Sequence, residues 1–162
     1  MALQDRSRSQ RWVTPLARGA LTVVLVWNLQ AALAFILVPD AHTAGFEVEG
    51  VPGQVVVRGL GILFLMWNVP YVAALIHPLR QIVPFTCAVV AQFIGLVGET
   101  WLFVTLPPGH YALRATGLRF IAFDGVGFVL LVLTLVLAWR FRQSAEQSAD
   151  LGRFANGGNR EQ

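Results

Sequence analysis

Four ionisable side chains stand inside long apolar runs of this chain: Arg58, Glu99, Arg119 and Asp124. A charge at that depth costs about 2.5–3.5 kcal/mol on insertion scales, so such residues face protein or water rather than acyl chains. Two cations and two anions at similar depth can cancel, and a pair is held more strongly in a low-dielectric interior than in water. The sequence therefore predicts a buried ion-paired cluster in which Glu99 pairs with Arg58 or Arg119. Replacing Glu99 by Gln would then strand an arginine and cost about 3–5 kcal/mol. Two other chemistries stay open for the same residues. The arginines, as fixed multidentate donors, suit an anionic or carbonyl-bearing ligand such as a polar headgroup or a quinone, and the carboxyls could transfer protons.

Helical phase supports an inward cluster. Gln92, Gly95 and Glu99 share one stripe, bordered by Ala91 and Gly98, and Arg58, Gly61, Leu65 and Asn68 share another. Small residues in such stripes let helix backbones approach closely. Gln92, Asn28 and Asn68 are the supporting polar groups, with inter-helix hydrogen bonding expected for both asparagines. Trp27 and Trp67 are read as mid-span packing, and Tyr71, Trp101, Tyr111 and Trp139 as interface aromatics.

Other reactive residues carry less. Cys87 is the only cysteine, which excludes a disulfide framework within the chain or a CxxC pair; it reads as a small buried hydrophobe of its helix. His42 and His110 fall in loops without the carboxylate or thiolate spacing of a metal site. No phosphate-binding loop, nucleophile elbow, zinc-protease or dinucleotide signature is present. No catalytic residue, metal or obligatory cofactor is predicted.

The elements that must position these residues are membrane helices. Of 162 residues, 56% are hydrophobic and 13% charged, with a mean hydropathy of +0.61. That balance belongs to the membrane class rather than to soluble domains. Four apolar runs, about 18–38, 54–77, 82–106 and 117–139, each approach the ~20 residues that a helix needs to cross the hydrocarbon core. The expected architecture is an all-α four-helix transmembrane bundle over 16–139, after a basic segment at 1–15 and before a flexible tail at 140–162. Pro15 suits a helix start. The first run is longer than a signal-peptide core and lacks a good cleavage site, so it reads as an uncleaved span.

All 12 basic residues are arginines. Nine (Arg6, Arg8, Arg11, Arg18, Arg80, Arg140, Arg142, Arg153 and Arg160) gather at one end of the spans, and Arg58, Arg114 and Arg119 lie towards the other. The positive-inside rule then puts both termini in the cytoplasm of a multi-pass cell-membrane protein, a bacterial inner membrane being expected. The arginines form no single patch, so nucleic acid is not an expected partner.

Arg58-Gly59 at the start of the second span, Gly95-x-x-Gly98-Glu99 in the third and Arg119 early in the fourth resemble the DoxX-like group of small four-helix membrane proteins. Some members of that group are partners of quinone-linked oxidoreductases, so the resemblance implies a quinone-associated role. Asp124 and the short Pro78–Pro84 hairpin are departures from it. With almost no extramembrane mass, the sequence points first to a non-enzymatic accessory or scaffold subunit, with the bilayer, other membrane subunits or itself as partners. The alternative is a quinone- or lipid-binding protein, or a membrane component of a quinone-linked oxidoreductase.

Overall fold

Apolar runs of this length can leave water only if their backbones are satisfied internally, and the computed structural model is helical with no strand among the described residues. It describes residues 2–157, with side chains for 12–140 and Gln143. Met1 and residues 158–162, including Arg160 of the topology count, lie outside the described residues, as do the side chains of Arg6, Arg8, Arg11, Arg142 and Arg153.

Among the described residues, four segments are long and apolar enough to cross a membrane: Trp12–Leu37, Gly50–Ile76, Ile82–Thr105 and Tyr111–Arg140. Helix α1 (Ala2–Leu37) contains Pro15 rather than starting at it. A short helix α2 (Asp40–Thr43) and a 3-10 turn (Ala44–Phe46) lead to the second span. That span is two helices, α3 (Gly50–Trp67) and α4 (Val69–Ile76). Helix α5 (Ile82–Thr105) forms the third span. Helix α6 (Tyr111–Gly157) forms the fourth and stays helical past Arg140, where composition suggested a flexible tail.

The break in the second span has an identifiable cause. Pro70 has no N–H to return to the preceding turn, and the Asn68 amide nitrogen donates to Phe64 O at 2.7 Å within its own helix. Asn68 therefore does not make the inter-helix bond expected of it. Its Oδ1 is buried without a hydrogen-bond partner among the described residues. A proline beside a side chain inserted into the backbone ladder is a recognised kink.

Helix α1 is the hub, packing against α3, α4 and α6, while α5 packs against α4 and α6. Across the break the contacts differ: α4 lies on α5, but α3 has no comparable contact with it. Leu21, Val24, Tyr71, Phe85 and Leu131 form a close core at the α4 level. At the opposite end, Phe35, Phe46, Phe64 and Phe120 form a cluster of rings. Large apolar side chains stand exposed along all four spans, as a lipid-facing surface requires. Cys87 is among the exposed residues rather than buried in its helix.

The α1–α3 crossing depends on Gly61. A Cβ there would lie 2.8 Å from Ala32 O and 2.9 Å from Phe35 Cβ, whereas at Gly59 it would meet nothing within 4 Å. Gly61→Ala is expected to cost about 1–3 kcal/mol, the usual size of overpacking. Gly59→Ala should be neutral or slightly stabilising. Thermal unfolding in detergent distinguishes the two.

The end of the bundle bearing the α2 loop is tied by Glu47, which adopts a left-handed backbone (φ 51°). Its Oε2 lies 2.5 Å from His110 Nδ1. Its Oε1 accepts from the backbone N–H groups of Ala112 and Leu113 at 3.1 and 3.3 Å, the free donors at the start of α6. Thr116 Oγ1 adds a bond to Gly45 O at 2.8 Å. The hydrogen bond from His110 is the largest influence holding the Glu47 carboxyl below its ordinary value of 4.5, against opposing desolvation. A carboxyl depressed on folding stabilises above its unfolded value and loses that contribution as pH falls through the folded one. The wild-type melting temperature should therefore fall from about pH 4.5 downward more steeply than that of Glu47→Gln. Parallel slopes would show that the clasp does not titrate with folding.

Candidate functional site

Between the close core and the ring cluster lies a partly enclosed cavity of about 270 Å³. All four spans line it: α1 through Trp27 and Asn28, α3 through Phe64 and Trp67, α5 through Gln92, Gly95 and Glu99, and α6 through Arg119, Phe120, Phe123 and Asp124. It occupies the interval left where α3 parts from α5. A shallower apolar groove lies on the outside of the same break, lined by Pro70, Thr86, Cys87 and Ile94 among others, and shares Trp67 and Ala91 with the cavity. Those two side chains border both spaces.

The polar floor of the cavity is built around Gln92. Its Nε2 donates to Asp124 Oδ1 at 2.7 Å, and its Oε1 accepts from the Tyr71 hydroxyl at 2.5 Å. That hydroxyl is also 3.1 Å from Ala88 O. Two glycines make room for these side chains. A Cβ on Gly127 would lie 2.8 Å from Gln92 Nε2, and one on Gly95 would collide with Asp124 Oδ2. The Glu99 carboxyl adjoins that of Asp124, and Glu99 Oε2 is buried with no hydrogen-bond partner among the described residues.

Glu99, Asp124, Arg119, Gln92 and Asn28 are therefore brought together, and Arg58 and Asn68 are not. The expected ion pairs do not form: neither arginine is within salt-bridge distance of Glu99 or Asp124 among the described residues. Arg58 Nε donates instead to Ile36 O at 3.2 Å. The end of α1 offers carbonyls with no intrahelical partner, and α3 starts beside them. Arg119 lines the cavity but is exposed. What the sequence presented as two ion pairs is a pair of carboxyls facing an aromatic-walled space.

Tyr71 is the residue that sequence reasoning missed. It was placed at the interface, and it is fully buried, because the break at Asn68 and Pro70 carries α4 onto α5. A phenol in an apolar run with Asn and Pro just before it was the available signal. Trp27 and Trp67 line the cavity rather than only packing, and Trp27 meets Phe123 edge-on at 4.3 Å. Trp101, Tyr111 and Trp139 are exposed. No group of three or more metal-ligating side chains occurs among the described residues.

The geometry reverses the expectation for Glu99→Gln. The variant preserves size and hydrogen-bonding capacity, and it removes a like group beside Asp124 rather than the partner of an arginine. Its unfolding free energy in detergent is expected to fall by no more than about 0.5 kcal/mol, or to rise. A loss of about 3–5 kcal/mol would restore the ion-pair arrangement. No family model, curated protein or solved structure matches the chain.

Proposed function

We propose that this chain is an integral membrane protein that binds a small amphipathic molecule, a quinone or lipid-derived compound by class, taken laterally from the bilayer. The observation that carries the reading is the cavity itself: a space of about 270 Å³ within the spans, with polar groups on its floor and rings on its walls. Ligand sites are commonly concave and largely apolar, with a few convergent polar groups. The parting of α3 from α5 favours entry from the side, with Trp67 and Ala91 at the neck. A DoxX-like relationship, a bacterial inner-membrane location and cytoplasmic termini belong to the same proposal. They rest on the sequence motifs and on the arginine asymmetry.

Service as an accessory subunit of a larger membrane complex is the second reading. It is favoured by the apolar surface exposed on every span. A purely structural scaffold would gain nothing from an internal cavity beside half-buried carboxyls, so ligand binding takes precedence. The two roles are compatible if the ligand is handed to a partner.

Purification of the full chain into lipid nanodiscs, followed by native mass measurement and organic extraction, tests this. A bound quinone or lipid-derived species near one per chain is expected. Ala91→Phe, which narrows the neck, should lower its occupancy at least about tenfold, while Arg58→Ala, whose guanidinium is turned to α1, should not. Absence of any bound molecule, or equal occupancy in Ala91→Phe, would overturn the reading.

A further inference from the structure

Resting on the reading that the cavity takes a small amphipathic molecule from the bilayer, the chemistry of its lining favours a class other than a quinone. We propose that it takes a lipid-soluble organic cation, an amine or quaternary ammonium with an apolar body, whose charge replaces a proton held between Glu99 and Asp124. Three observations converge on this class.

The first is the unmatched acceptor. Glu99 Oε2 is buried with no donor of the chain beside it among the described residues, so a proton or an incoming cation can stand in for one. Asp124 is already fixed as an acceptor by the Gln92 amide N–H. The floor therefore presents carboxyl oxygens, which suit a cation.

The second is that neither carboxyl is ion-paired among the described residues. Arg58 is engaged at Ile36 O. Arg119 lines the cavity but lies beyond ion-pair distance of either carboxyl among the described residues. From the other packed elements, α1 contributes only the neutral Asn28 and Trp27, and α3 and α4 contribute only the Tyr71 hydroxyl as a titratable group facing the pair. Two adjoining carboxylates, both charged in a low-dielectric space, repel each other. A single proton between them leaves the pair with one negative charge. When a cation enters, that proton leaves for water and the charge of the occupied site is unchanged.

The third is the wall. Trp27, Phe64, Trp67, Phe120 and Phe123 surround the carboxyls, and aromatic faces attract cations by their quadrupoles. The space is just below the ~300–1,000 Å³ typical of small-molecule sites, so a compact cation fits better than a long one.

The test uses the full chain in nanodiscs with benzyltrimethylammonium, a permanent cation that cannot itself titrate, and neopentylbenzene, its neutral isostere. Calorimetry in two buffers of different ionisation enthalpy reads proton release directly on the wild type. The expected result is ammonium binding with release of about one proton, and an affinity rising by up to about tenfold per pH unit as the proton is more easily lost. The neutral isostere should bind at least about tenfold more weakly. Glu99→Gln should abolish the proton release and weaken the ammonium by a similar factor. Equal binding of both probes, or ammonium binding without proton release, overturns the cation assignment and leaves the ligand-binding reading standing. Binding of a short-chain benzoquinone with no binding of the ammonium does the same. If none of the three probes binds, both proposals fall.

Discussion

The amide of Gln92 has two ends, and both are used. It accepts from Tyr71 and donates to Asp124. Those three residues come from the second, third and fourth spans, so one polar chain joins three of the helices at one level, and Asn28 of α1 lines the same cavity. In a hydrocarbon surround no water can stand in for a missing partner. Helix packing there has no hydrophobic driving force, because lipid tails are as apolar as the side chains they would replace. Directional bonds and close contacts must supply register instead. The glycines at 95 and 127 leave room for the Asp124 and Gln92 side chains to meet across α5 and α6.

The cavity follows from the same chain. Tyr71 can reach Gln92 only because the second span breaks at Asn68 and Pro70, bringing α4 onto α5. The part of the span before the break then goes its own way with α1, through the close approach at Gly61. One break thus buries a phenol on one side and opens a gap on the other. The carboxyls of Glu99 and Asp124 border that gap. Their position beside each other, rather than beside arginines, is what gives the space its chemical character.

The arginines serve a different need. Arg58 donates to Ile36 O, Arg18 to Ile76 O and Arg114 to Leu106 O. Each acceptor lies at or just beyond the C-terminal end of a helix, where carbonyls lack intrahelical partners. A guanidinium suits such carbonyls through its several donors and the negative end of the helix dipole. Glu47 does the converse at the start of α6, where free N–H groups await an acceptor. The charges nearest the helix ends therefore close the backbone's own account before any side-chain pairing.

How much of this could be read from the chain alone divides along a physical line. The number of spans and the all-helical class were legible because a helix settles its backbone hydrogen bonds within about 20 apolar residues, without reference to the rest of the fold. Glu99, Asp124, Gln92 and Asn28 were legible as site residues because a polar side chain is conspicuous in an apolar run. Their partners were not. Core-facing and lipid-facing residues are equally apolar here, so hydrophobic periodicity does not say which face of a helix turns inward. Arg58 looked as well placed for Glu99 as for Ile36 O, and Tyr71 looked like an interface residue until the break at Asn68 turned it inward. Which face of each helix meets which neighbour is decided by close contacts such as Gly61 against Ala32 and Gly127 beneath Gln92. Those contacts exist only between segments distant in sequence, so only the tertiary structure could set two carboxyls together over a cavity.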